Sequence, residues 1–462
     1  MSKRNIILII IFLLIVIIVF FGFLYIYKPS SSLPTETPQG TNFFADFLPF
    51  GKSKTSTPPP AVTPPIDVSG YVPPTTTQQG VSKLQKISSM PVAGFGLFLK
   101  ERFKEIAPSV IVPNTETPTD PTAQNTIDPK KTDTKKQPVK PTAPATEMVQ
   151  FLKYVDRATG NIYETFTDKI NEVKFSSTII PQVYEASFVN KGDGVIMRYL
   201  KEGENTIETF MGVLPKEILG ADTALVNEVK GSFLPENISD LSISPDTTKL
   251  FYLFNIENNS LTTGVIASGA GDKKTQIFTS PFNEWLSQIP NPKLIALTTK
   301  PSSQVPGYLY FMNPDKKDFI KILGNVSGLT TLVSPNGKLV LYGNNTLSLN
   351  VYNIDTKETT PLGLRTLPEK CVWTKASDTI YCSVPKSASQ DGYPDVWYRG
   401  EVSFDDSIWS IDTTSGNTTM VSDLSAVGGE TIDGIKLALD DAENNLFFVN
   451  KNNSYLWKLN LR

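Results

Sequence analysis

Leu241-Ser-Ile-Ser-Pro245-Asp-Thr-Thr-Lys-Leu250-Phe-Tyr-Leu-Phe254 reads as a short apolar strand, a tight polar turn, and a second strand of aromatic and branched residues. The pattern returns as Leu332-Val-Ser-Pro335-Asn-Gly337-Lys-Leu-Val-Leu-Tyr342. Looser copies start at Cys371 and at Lys436. A strand-turn-strand unit recurring about every 35 to 65 residues is the signature of a β-propeller, in which each unit is one four-stranded blade.

Blades can be counted from their second strands. Neighbouring blades cover these on both faces, so they read as continuous apolar runs rather than strict alternation. Seven such runs stand out, at Phe151–Val155, Val195–Met197, Leu250–Phe254, Leu294–Leu297, Leu339–Tyr342, Thr379–Cys382 and Leu446–Val449. Third strands carry an aromatic and end on Asp or Asn, as in Leu349–Asp355, Ser407–Asp412 and Tyr455–Asn460. The expected fold is therefore all-β, a seven-bladed propeller, with six or eight blades as the neighbouring counts. Blade spans of 91–180, 181–236, 237–281, 282–327, 328–368, 369–428 and 431–462 follow. The last span holds only three strands, and residues 81–88 look like an outer strand without a blade of its own. Pairing the two would close the ring and leave no open edge.

The rest of the chain reads differently. Ile6 to Tyr27 is an uncharged apolar run of the length an α-helix needs to cross a bilayer, preceded by Lys3 and Arg4. The expectation is a single-pass anchor over 6–27, with residues 1–5 cytoplasmic and everything after Lys28 extracytoplasmic. Whether the segment is cleaved stays open. Residues 28–80 are rich in Pro, Thr and Ser and predict a disordered tether. The propeller then spans 81–462, interrupted by a low-complexity insertion at about 100–147 that carries five lysines between Lys130 and Lys140.

Composition excludes several chemistries. The 462 residues contain no histidine, which removes imidazole as a general base and as a metal ligand. A net charge of −3 carries no nucleic-acid footprint. No metal or cofactor is expected. The two cysteines, Cys371 and Cys382, face each other if their hairpin turns at Ala376-Ser377, as a disulfide or as two buried thiols.

The Ile243-Ser-Pro-Asp and Val333-Ser-Pro-Asn-Gly turns followed by Lys-Leu resemble the repeats of TolB-type, WD-repeat-like bacterial propellers. That resemblance covers most of 182–462 but only two copies are good, and Thr247 stands where a glycine belongs. It implies a scaffold rather than a catalytic site. Related propellers gate serine peptidases, but no nucleophile elbow or hydrolase segment follows the repeats here.

The best site candidate is the long sixth-blade connection, Lys386 to Asp405. It holds Tyr393, Trp397, Tyr398, Arg399 and Phe404, residue types that dominate recognition surfaces. The competing reading is a lid whose aromatics pack onto the ring. The expected function is a non-enzymatic binding or scaffold module, tethered to the membrane, for a protein, peptide or glycan of the cell envelope. The alternatives are a propeller enzyme acting on envelope polysaccharide through Asp/Glu, Tyr and Arg, with Asp395 and Glu401 as carboxylate candidates, and a structural surface-layer component.

Overall fold

The computed structural model describes residues 83–104, 144–203, 205–216, 219, 227–256, 261–388 and 391–462. The expected anchor, the tether and the core of the low-complexity insertion lie outside the described residues. Among the described residues no helix is long and apolar enough to cross a membrane. Internal contacts divide the chain after Thr77, and all described structure belongs to the unit 78–462.

Seven four-stranded antiparallel sheets form the ring. Blade one consists of β2 (Val92–Phe103), β3 (Thr146–Asp156), β4 (Ile162–Phe166) and β5 (Val173–Lys174). Blade two runs from β6 (Val183–Val189) to β9 (Lys230–Phe233), and blade three from β10 (Ile238–Ile243) to β13 (Lys274–Ser280). Blade four spans β14 (Trp285–Asn291) to β17 (Phe319–Ser327), and blade five β18 (Thr330–Val333) to β21 (Thr359–Arg365). Blade six contains β22 (Cys371–Trp373), β23 (Thr379–Pro385), β24 (Asp406–Asp412) and β25 (Thr418–Asp423). Blade seven contains β26 (Gly434–Leu439), β27 (Asn445–Asn450) and β28 (Leu456–Asn460). Each apolar run used for counting falls in a second strand. The insertion is shorter than expected, because β2 and β3 stay paired out to Phe103 and Thr146.

The repeat turn is one conformation written in different residues. Thr247, Gly337, Ser377 and Glu443 all adopt left-handed φ between 54° and 71°. Each donates its backbone N–H to the carbonyl three residues back, at 2.7–3.0 Å. Only Gly337 does so without a Cβ penalty. Thr247 is accounted for by blade two, since its Oγ1 accepts from Lys191 N at 2.6 Å and its carbonyl from Asn190 N at 2.7 Å.

The core is not central but lies between blades. Seven apolar clusters occupy the seven interfaces, for example Phe251, Leu253, Trp285 and Ile295 between blades three and four. Trp285 is thus a core residue. Polar ties near the axis supplement this packing. Asp240 Oδ2 accepts from Ser287 N and Oγ, both at 2.6 Å, and Gln288 Nε2 donates to Thr331 O at 2.6 Å.

The ring closes through β1 (Leu84–Lys86), which pairs antiparallel to β28 with Leu84 opposite Leu459 and Lys86 opposite Trp457. Leu84 and Ile87 are buried, and Lys86 Nζ sits 4.5 Å from the Tyr455 ring centre. Burying those two side chains is worth roughly 3–6 kcal/mol. Residues 79–462 are therefore expected to melt cooperatively, whereas residues 91–462 should lose several kcal/mol and aggregate through the bared β28 edge. Equal melting of the two fragments in circular dichroism would contradict closure by β1.

Candidate functional site

The sixth-blade connection folds back as a lid around a short helix, α1 (Asp395–Tyr398). Tyr393, Trp397 and Phe404 are buried beneath it with Leu347 and Leu367 from blade five and its exit. Trp397 lies nearly parallel to Phe404, with centroids 6.4 Å apart. Arg399 stays on the surface and pairs with Glu401 at 2.6 Å. Three of the five sequence candidates therefore hold the lid down, a fourth is spent on a neighbour, and Tyr398 alone reaches a cavity.

The lid is anchored by a fully buried ion cluster. Lys370 enters it from the turn Pro368–Lys370 and bonds Asp406 at 2.7 Å and Asp433. Asp433 Oδ2 accepts from Trp397 Nε1 at 2.9 Å and from Phe404 N at 3.1 Å. Asp406 Oδ2 also accepts from Gly434 N at 2.7 Å. Burial pushes Asp406 up to about 6, the Asp433 charge adds to the rise, and Lys370 opposes it.

The neighbouring residue, Glu369, points the other way, into the central channel. There it lines a chamber of about 380 Å³ together with Asp240, Gln288, Thr331, Tyr398 and Lys436. Glu369 and Lys436 meet channel water, yet the ring's wall encloses them, so their charges are poorly solvated. This desolvation raises Glu369 to about 7, with the nearby Tyr398 hydroxyl and the charges of Lys370 and Lys451 working against the rise. Asp240 is raised to about 6 by burial, against its hydrogen bonds from Ser287. Burial also pushes Lys436 down and Tyr398 well up. Lys436 Nζ donates to Ala93 O at 2.9 Å, so blade seven is tied to blade one at the same level.

The loop carboxylates named from sequence serve elsewhere. Asp395 accepts from Ser303 N at 2.6 Å, and Glu401 pairs with Arg399. The channel acids Glu369 and Asp240 went unnoticed. Asp240 alone of the two carries a signal, a charged residue within the first strand of a blade, where an alternating strand turns every second side chain to the axis. Among the described residues no group of acids, cysteines or histidines is arranged to hold a metal. Cys371 and Cys382 pair across β22 and β23 as a disulfide, with Cα atoms 4.0 Å apart, inside the packing between blades five and six.

No family model matches the sequence, and no curated protein matches it. Solved structures share the ring. An oligogalacturonate lyase in complex with manganese aligns at TM-score 0.44 and 10% identity, over 68% of this chain and 85% of the lyase. The oligogalacturonate lyase of Vibrio parahaemolyticus gives the same TM-score and identity, over 68% and 86%. The tricorn protease aligns at TM-score 0.33 and 15% identity, over 65% of this chain and 27% of the protease. The neighbours are not TolB or WD-repeat proteins in particular. The expectation of a non-enzyme is not supported: the similar rings are those of lyases and a protease, a likeness of fold alone. Glu369 is a carboxyl already poised near neutrality.

Removing Lys370 would strand two carboxylates in an apolar site. Lys370→Met should therefore cost about 3–5 kcal/mol in urea unfolding, and Lys370→Met with Asp433→Asn should recover part of it. A loss below about 1 kcal/mol would show that the cluster does not hold the lid.

Proposed function

We propose that the chain is a membrane-tethered, extracytoplasmic propeller that takes a glycan of the cell envelope into its channel and cleaves it by acid–base chemistry. The observation that carries the reading is that Glu369, from the Pro368–Lys370 turn, and Tyr398, from the lid, line one channel chamber, with the glutamate raised to about 7. A perturbed carboxyl in a cleft is the usual mark of a proton-transfer residue. Two carboxyls whose surroundings set them apart divide naturally into acid and base. Glu369 holds its proton at higher pH and serves as the acid toward a leaving oxygen. Asp240 ionises first, at about 6, and serves as the carboxylate. Lys436, whose ammonium keeps two N–H donors beyond its bond to Ala93 O, supplies donors suited to sugar hydroxyls. The apolar run Ile6–Tyr27 and its flanking Lys3 and Arg4 support placement on the outer membrane face. The TolB-like turns add nothing about the ligand, because they sit in scaffold hairpins.

Residues 78–462 should release reducing ends from at least one envelope polysaccharide. The rate should fall above pH about 7 as Glu369 loses its proton and below about 6 as Asp240 gains one. Glu369→Gln is expected to lose at least about a hundredfold, and Tyr398→Phe to move the alkaline limb upward by removing a bond to the ionised form. Glu401→Gln should behave as the parent does. Undiminished turnover in Glu369→Gln, or no turnover on any envelope glycan, would count against the proposal.

A further inference from the structure

The channel continues past the polar chamber into a second one, of about 580 Å³, at the opposite end of the ring. The two share Ser287, Gln288, Leu332, Cys371 and Leu437, so they are contiguous. The second chamber is built by the first-to-second strand turns, and its chemistry follows from their sequence. Pro245, Pro290, Pro292 and Pro335 contribute ring carbons and no backbone N–H. Ile243, Ile289, Val372, Trp373 and Leu437 add further apolar surface.

The polar groups around this chamber are already engaged with one another. Asn291 Nδ2 donates to Pro335 O at 3.0 Å and its Oδ1 accepts from Lys293 N at 3.1 Å. Trp373 Nε1 donates to Leu332 O at 3.2 Å. Asp246 accepts from Ser244 Oγ and from Thr248 N, at 2.5 and 3.1 Å. Lys375 pairs with Asp441. Gln288 is held at both ends, its Nε2 on Thr331 O and its Oε1 on Val333 N at 3.0 Å. Little remains to hydrogen-bond a ligand here, whereas carbon surface open to channel water remains in plenty. A cavity of this size and lining selects an apolar group.

We propose that the channel's ligand is an amphiphile: a glycoside whose apolar aglycone or short acyl segment occupies the proline-walled chamber while its sugar reaches Glu369 and Tyr398. The assignment of the sugar end rests on the function proposed above; the apolar end stands on the second chamber alone. Leu437 and Cys371, at the junction, face both parts.

The test is displacement of N-phenyl-1-naphthylamine, a neutral fluorescent probe, from residues 78–462, a unit that contains the whole closed ring. Probe binding should saturate at one site. Octyl glucoside below its micelle threshold should compete about fifteenfold better than hexyl glucoside, since each of the two extra methylenes is worth roughly fourfold. Methyl glucoside should not compete. Leu437→Trp, which fills the chamber with carbon, should weaken the probe at least tenfold; Leu437→Ala serves as the second variant and should weaken it severalfold. Non-saturable probe binding, chain-length-independent competition, or unchanged affinity in both variants would overturn the inference. Probe binding that behaves as expected while no glycan is cleaved would instead sink only the acid–base reading.

Discussion

The buried Lys370–Asp406–Asp433 cluster is the constraint on which the upper end of the channel depends. Three charges withdrawn from solvent are tolerable only when they are paired with one another, so the cluster fixes the groups it bonds. Asp433 grips Trp397 and the Phe404 backbone, and Trp397 immediately precedes Tyr398. Lys370 immediately follows Glu369. One interaction therefore sets both members of the channel pair, from two elements that are distant in sequence. Lys451 secures the same lid from blade seven, donating to Trp397 O at 2.8 Å.

The chemistry of the channel follows from its enclosure. A carboxyl free in water titrates near 4, whereas the wall of the channel limits the solvation of its charge on one side. Glu369 and Asp240 consequently resist ionisation, and the folded state holds their protons where the unfolded chain has lost them. Folding then favours the protonated acids, so their contribution to stability is full in acid and declines as pH rises toward 6 for Asp240 and 7 for Glu369.

Most of the fold was legible because a blade repeats its physics. Apolar second strands mark the same position seven times, Ser-Pro-Asp or Ser-Pro-Asn turns mark two of the blades, and the register opposing Cys371 to Cys382 follows from turn counting alone. Closure by residues 84–86 was readable as an orphan strand opposite a three-stranded blade. The site was far less legible. Tyr393, Trp397 and Phe404 carry the composition of a recognition loop, but composition cannot say whether an aromatic faces solvent or a core, and these face the core. Glu369 has no local signature, because its significance lies in a channel assembled from strands throughout the chain. Asp240 and Lys436 gave a faint one, as charges on first strands.

The central claim is that the ring holds Glu369 as a near-neutral acid against the Tyr398 hydroxyl. Carbon-13 NMR of labelled glutamate carboxyls in residues 78–462, assigned through Glu369→Gln, measures this directly. A Glu369 midpoint near 7 that rises further in Tyr398→Phe is the predicted result. A midpoint near 4.5, unmoved by Tyr398→Phe, would contradict it.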